Sequence, residues 1–309
     1  MHNQYLNASA PHVFNKSDVD TGTKGLILPV ELCEAVDRSV EECFAKEYRT
    51  DELLGDDFTQ IRGPLDSLCK RHGFLLEAAI AHGFAAQGDR FVVWTQVPVS
   101  VSKAAILLVE NNPLKCLEGL HLPVSDSRVK QVIIDVLVFD RLTSLLHVIS
   151  VKRGGGAQGG RAAREARTDL LTAGLLLKNL LRQQGRPVRE VSQVLVDWYG
   201  RSGIIARKTV TRETVDEHFG VPIAAMVDAM SARMQAAIAD RMAPRLLKAV
   251  GRDDLSSDGR SNQDDAYGAD IGLPGFEEDR SHLGSASFAE CLSVLPLRRQ
   301  GRQMRRIGN

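Results

Sequence analysis

The chain has 309 residues, of which 43% are hydrophobic and 25% charged, enough apolar material for a substantial globular core. Its 39 basic and 39 acidic residues cancel, so affinity for an acidic partner has to come from local segregation of charge. Aromatics at 5% argue against a stacking platform for single-stranded nucleic acid, and five scattered cysteines without a CxxC spacing support neither a zinc ribbon nor a thioredoxin motif. The cysteines read as reduced thiols. The N-terminal residues lack an apolar signal core, and no run approaches the roughly 20 apolar residues of a membrane span. The expected compartment is therefore the cytoplasm, with no membrane partner.

Residues 1–24 are polar and aperiodic and read as a flexible lead-in. Leu32, Val36, Val40, Cys43 and Phe44 recur at helical spacing and predict a helix from about Pro29 to Tyr48. Gly55, Asp56 and Asp57 interrupt the pattern, which closes an N-terminal helical extension at 25–63. Leu65, Leu68, Leu75, Leu76 and Ile80 predict a second helix from Pro64 to Ala86. The β-branched alternation of FVVWTQVPVSVS (91–102) predicts a strand, and Pro98 within it marks an edge position or a bulge. Residues 104–125 are ambiguous. KQVIIDVLVFD (130–140) and LLHVISVK (145–152) are strong strands, and the four-residue RLTS loop between them forces an antiparallel hairpin.

A glycine loop, RGGGAQGG (153–160), leads into a helix from Arg161 to Gln184, with Gly185 at its C-terminal end. VSQVLVDWYG (191–200) reads as the next strand and completes an α/β core over 64–203. The region 204–250 is helical, and Ile223, Met226, Val227, Met230, Met234 and Ile238 mark a face for the core or for a partner helix, which permits a homodimer. From 251 the chain is rich in Ser, Asp and Gly and reads as a disordered tail ending in a basic cluster.

Alternate residues of a strand share a face, so Ser150 and Lys152 point the same way. Asp135 sits inside the apolar run VIIDVLVF, where an unpaired carboxylate is costly. Across the hairpin Lys152 is its natural partner, either in a structural ion pair or in a site.

IIDVLVFDRLTSLLHVISVKRG resembles the signature of the PD-(D/E)xK nuclease superfamily, whose core runs helix, three strands, helix, strand. The resemblance covers a little under half of the chain. It implies a restriction-endonuclease-like core with added helices at both ends. Asp135 matches the first acid and Lys152 the lysine, and Glu77 in FLLEAAIA resembles the glutamate of the first core helix. The resemblance implies Mg²⁺ held by Asp135 and Glu77, a lysine supporting the attacking water, and a nucleic-acid substrate, DNA ahead of RNA. The departure is Ser150, which stands where the family has an acid. Asp140, at the hairpin turn, lies too far along the strand to replace it.

From Lys152 to Arg212 there are thirteen Lys or Arg against four Asp or Glu. Arg153, Arg161, Arg164 and Arg167 are the candidate phosphate contacts, against the alternative of a solvated helix face. Two other readings stay open. Ser150 favours a catalytically degenerate module that binds nucleic acid or protein. Gly154, Gly156 and Gly159 satisfy GxGxxG, the fingerprint of a dinucleotide-binding enzyme. Against that, the preceding strand belongs to a tight hairpin, and the acid at the end of the next strand, Asp197, comes about 40 residues later where about 20 is usual.

Overall fold

The structure is a computed structural model that describes residues 28–123 and 128–251. The expectations for the lead-in 1–24 and for the basic tail lie outside the described residues. Branched apolar runs form the strands β1 (Phe91–Ser102), β2 (Arg128–Asp140), β3 (Leu145–Lys152) and β4 (Glu190–Asp197), with a two-residue β5 (Thr209–Val210). They lie side by side in chain order as one mixed, open sheet. β1, β2 and β3 pair antiparallel, and β3, β4 and β5 pair parallel. The fold is α/β. Pro98 is accommodated because β1 is an edge strand.

Helices cover both faces. On one, α1 (Val30–Ala45), α2 (Gly55–Ala85) and α6 (Ile223–Gly251) bury Leu32, Leu76, Ile80, Met226 and Met230 against Val136, Ile149 and Val194. On the other, α4 (Gly160–Gln183) buries Leu170, Ala173 and Leu177 against Val99, Leu137 and Val148. At roughly 25 cal/mol per Å² of apolar surface, these two contacts are the main source of stability. α4 stops where Gly185 takes φ +81°, which lets Arg186 donate back to the Leu181 carbonyl. No described helix is long and apolar enough to cross a membrane.

Several sequence expectations change. The second helix begins at Gly55, so Asp56 and Asp57 form its acidic first turn, and Pro64 lies inside it. Proline removes the hydrogen bond to the carbonyl four residues earlier, that of Gln60. The Arg245 guanidinium takes over this carbonyl at 2.5 Å, while its other nitrogen bonds the Phe44 carbonyl. The boundary at 63/64 is therefore not a break in the fold. Nor does 204–250 stand apart, since β5 extends the sheet and the methionines of α6 lie in the main core. Within the ambiguous 104–125, residues 103–111 form the helix α3 (Lys103–Asn111), capped by the Ser102 hydroxyl at 3.3 Å from the Ala105 amide. The fourth strand ends at Asp197, leaving Trp198 buried beyond it and Tyr199 partly exposed.

Two buried histidines make this core acid-sensitive. His147 packs against the rings of Phe84 and Phe219, and His72 is stacked on Tyr199. Each has an Nδ1 without a partner. Burial first, then the neighbouring His218 charge, lowers His147 to about 4. Burial first, then Arg153, lowers His72 to about 4. Both folded values lie below the unfolded one, so the stability from the neutral rings is complete above about pH 6.5 and is lost as pH falls toward 4. The expected loss is on the order of 3 kcal/mol for each ring. Urea unfolding at pH 7.5, 5.5 and 4.5 should show it, and His147→Phe should flatten part of the slope.

Candidate functional site

The site is built at a fork in the sheet. Moving along the β2–β3 ladder from the turn, pairing ends at Val136 opposite Ile149, so Asp135 and Ser150 come next in register but do not pair. There the Asp135 side chain replaces the ladder. Its Oδ2 accepts the Val151 amide at 2.6 Å and the Ser150 hydroxyl at 3.0 Å, and Lys152 Nζ stands 3.7 Å away. All three contacts fall on Oδ2. Oδ1 has no partner among the described residues. The expected Asp135–Lys152 pairing is therefore present, and Ser150 is the donor that braces the carboxylate.

The strand bends at the same place. On β1, Val92 and Trp94 face the α4 core, and so do Val97, Val99 and Val101, a slip of one in the alternation. On β2, Ile134 and Leu137 show the same slip around Asp135. Beyond the fork, β1 and β2 continue as a two-stranded ribbon. One face of it packs toward α4, while Val129 and Ile133 are exposed.

Glu77 reaches this point from α2. Gln96 Nε2 donates to its Oε2 at 2.5 Å. Burial first, then the Asp135 charge, pushes the Glu77 carboxyl up to about 8, with Lys152 and the Gln96 bond acting in the opposite direction. Glu77 thus senses the Asp135 and Lys152 charges, and burial together with the Asp135 charge favours its protonated form. The two carboxyls and Lys152 form one electrostatic unit.

A cavity of about 280 Å³ opens beside the fork, lined by Asp135, Ser150, Lys152 and Ile133 and, from α4, by Glu165 and Asp169. Both α4 acids bind Lys130 of β2, Asp169 at 2.8 Å and Glu165 at 3.2 Å. Lys130 relieves their mutual repulsion. Arg161, Arg164 and Arg167 are not part of this lining. The first two are exposed and the third is half-buried. Arg153 lies over the Tyr199 ring, 5.5 Å from its centre, with a buried Nε that has no partner. Sequence periodicity could not have found the α4 acids as cavity walls, because Lys130 comes from a strand whose facing depends on the slip at Asp135. Asp140 is spent elsewhere. It is buried at the hairpin turn, bonds Arg90 at 2.9 Å and accepts the Leu142 amide.

The glycine loop joins β3 to α4. β3, α4 and β4 do form a parallel βαβ unit, so the hairpin is no obstacle to a dinucleotide fingerprint. Asp197, however, is buried, and its Oδ2 is held by the amide and hydroxyl of Ser202. Burial closes it to a ribose, although its Oδ1 has no hydrogen-bond partner among the described residues. Gly154 lies against it at φ +66°, where a Cβ would fall 1.9 Å from Asp197 Oδ1.

Among the described residues no group of three or more His, Cys, Asp or Glu side chains converges as a metal-holding set. Two carboxyls influence each other electrostatically at the fork. Mg²⁺ is commonly held by one or two carboxylates with waters completing its shell, so Asp135 Oδ1, which has no partner among the described residues, and Glu77, which would give up its proton to the ion, fit that chemistry. Comparison with models of known protein families, with curated proteins and with solved structures gives no match.

Gly154→Ala tests the close packing under the site. The added methyl meets Asp197 at an unfavourable φ, so urea unfolding should show a loss of about 2 kcal/mol or more. An equally strong loss at the open Gly156 is not expected.

Proposed function

We propose that the chain acts on nucleic acid, DNA ahead of RNA, as a metal-dependent phosphodiesterase with a PD-(D/E)xK-like core. The observation that carries the reading is the fork, where a carboxylate inserted between two strands stands beside Lys152 and senses Glu77. The order α2, β1, β2, β3, α4, β4 supports it, being helix, three strands, helix and strand, with α3 inserted between β1 and β2.

In this reading Asp135 and Glu77 hold Mg²⁺. When bound, the ion supplies a polarised water and neutralises charge developing on the scissile phosphate. The protein's own groups do the rest. The Val151 amide and the Ser150 hydroxyl fix Asp135 Oδ2 and leave Oδ1 for the ion. Lys152 carries a positive charge at the mouth of the cavity, where it orients water or a phosphate oxygen. Arg161 and Arg164, exposed on the first turns of α4, are the groups for more distant phosphates.

A second reading is favoured by a specific observation. Ser150 is bonded to Asp135, and the opposite cavity wall is acidic, so a catalytically degenerate module that binds nucleic acid without cutting it is the alternative.

Cleavage of duplex DNA in the presence of Mg²⁺ or Mn²⁺ discriminates between them. The active reading expects metal-dependent cutting that falls at least about 100-fold in Lys152→Ala, in the range typical of a lost acid–base or charge-stabilising group. It also expects cutting to rise in Ser150→Glu, which adds an acid beside Asp135. Undiminished cutting by Lys152→Ala would remove the lysine from the mechanism. Salt-sensitive binding without metal-dependent cutting, converted to cutting by Ser150→Glu, would establish the degenerate reading.

A further inference from the structure

Gln96 lies in the middle of β1, where an extended backbone is the rule, yet its φ is +52°. Only it and Ser144, in the hairpin turn, are non-glycine residues with positive φ among those described. Such a backbone is strained and persists only where surrounding structure enforces it. The pairing steps from Thr95 opposite Val136 to Val97 opposite Ile134, which places Gln96 directly across from Asp135 and outside the ladder. The side chain released by this turn is the one whose amide meets Glu77.

We infer that Gln96 is a positioning residue, and that the left-handed turn in β1 exists to bring its amide to Glu77 and hold that carboxyl toward Asp135 and Lys152. The inference rests on the proposed metal-dependent reading. It adds a group from β1 to a site otherwise made by α2, β2 and β3. The geometry is economical: among the described residues the edge strand has no outer neighbour at this point, so the turn sacrifices little sheet pairing. The amide also suits the task. It donates to Glu77 without adding charge to a cluster that already holds two carboxyls and one ammonium.

The backbone and the amide can be separated by experiment. Glycine accepts φ +52° freely, so Gln96→Gly should keep the fold and raise the melting temperature, whereas Gln96→Ala keeps the strain. Binding of Mn²⁺ to the full chain, followed by electron paramagnetic resonance, reads the site without requiring cleavage. Wild type should bind Mn²⁺ and Asp135→Asn should not. The asparagine oxygen can still accept the Val151 amide, so this control is expected to fold. Gln96→Gly should weaken Mn²⁺ binding about tenfold, and the effect should vanish in a Glu77→Ala background, because the amide acts through that carboxyl. Wild-type affinity in a folded Gln96→Gly overturns this inference alone. So does a tenfold loss that persists without Glu77. Absence of Asp135-dependent Mn²⁺ binding in wild type overturns the metal-site reading and this inference with it.

Discussion

The Asp135 carboxylate accepts the Val151 amide at 2.6 Å, at the step where the β2–β3 ladder stops. A buried amide left unpaired costs free energy comparable to a lost hydrogen bond, so the fork exists only because a side-chain acceptor stands in for the missing strand carbonyl. That one substitution has wide effects. It releases β1 and β2 to continue as a ribbon and turns their side chains by one place. It opens the cavity between β2, β3 and α4. It also fixes a carboxylate by one oxygen and leaves the other without a partner among the described residues.

The same constraint explains Ser150. An acid at that position would set a second negative charge beside Asp135, and in the absence of a cation the two would repel. Serine instead donates to the carboxylate and stiffens it. Stability of the fork and charge for a metal ion therefore pull this position in opposite directions, and here stability prevails. In the proposed metal-dependent reading, Glu77, held by Gln96, is then the group on which metal affinity would depend.

The strands and the helix periodicities were legible because each pairs a clear period with a clear boundary. The four-residue turn forced the hairpin, and β-branched runs marked β1 to β4. Asp135 and Lys152 were legible because a carboxylate within VIIDVLVF demands a partner. What periodicity missed had non-local causes. Pro64 reads locally as a helix start, and only Arg245, nearly two hundred residues away, makes it tolerable inside α2. The helical region after 204 reads as an appendage until its methionines are seen to fill the core beneath α1 and α2. The left-handed Gln96 has no local signal at all, since neither glycine nor asparagine marks it.

Charge segregation along the chain was a poorer guide than geometry. The basic segment that begins at Lys152 includes α4, yet the face which α4 turns toward the fork carries Glu165 and Asp169. Lys130 neutralises both from the neighbouring strand. Positive charge for phosphate lies instead on the exposed Arg161 and Arg164 and at Lys152 itself. A polyanion meeting this surface would be drawn by the outer arginines and would meet a mixed field at the fork, where Lys130 and Lys152 stand among Asp135 and the α4 acids. In the proposed reading, attraction at the rim and a cation in the cavity would be linked by the way α4 divides its charges between two faces.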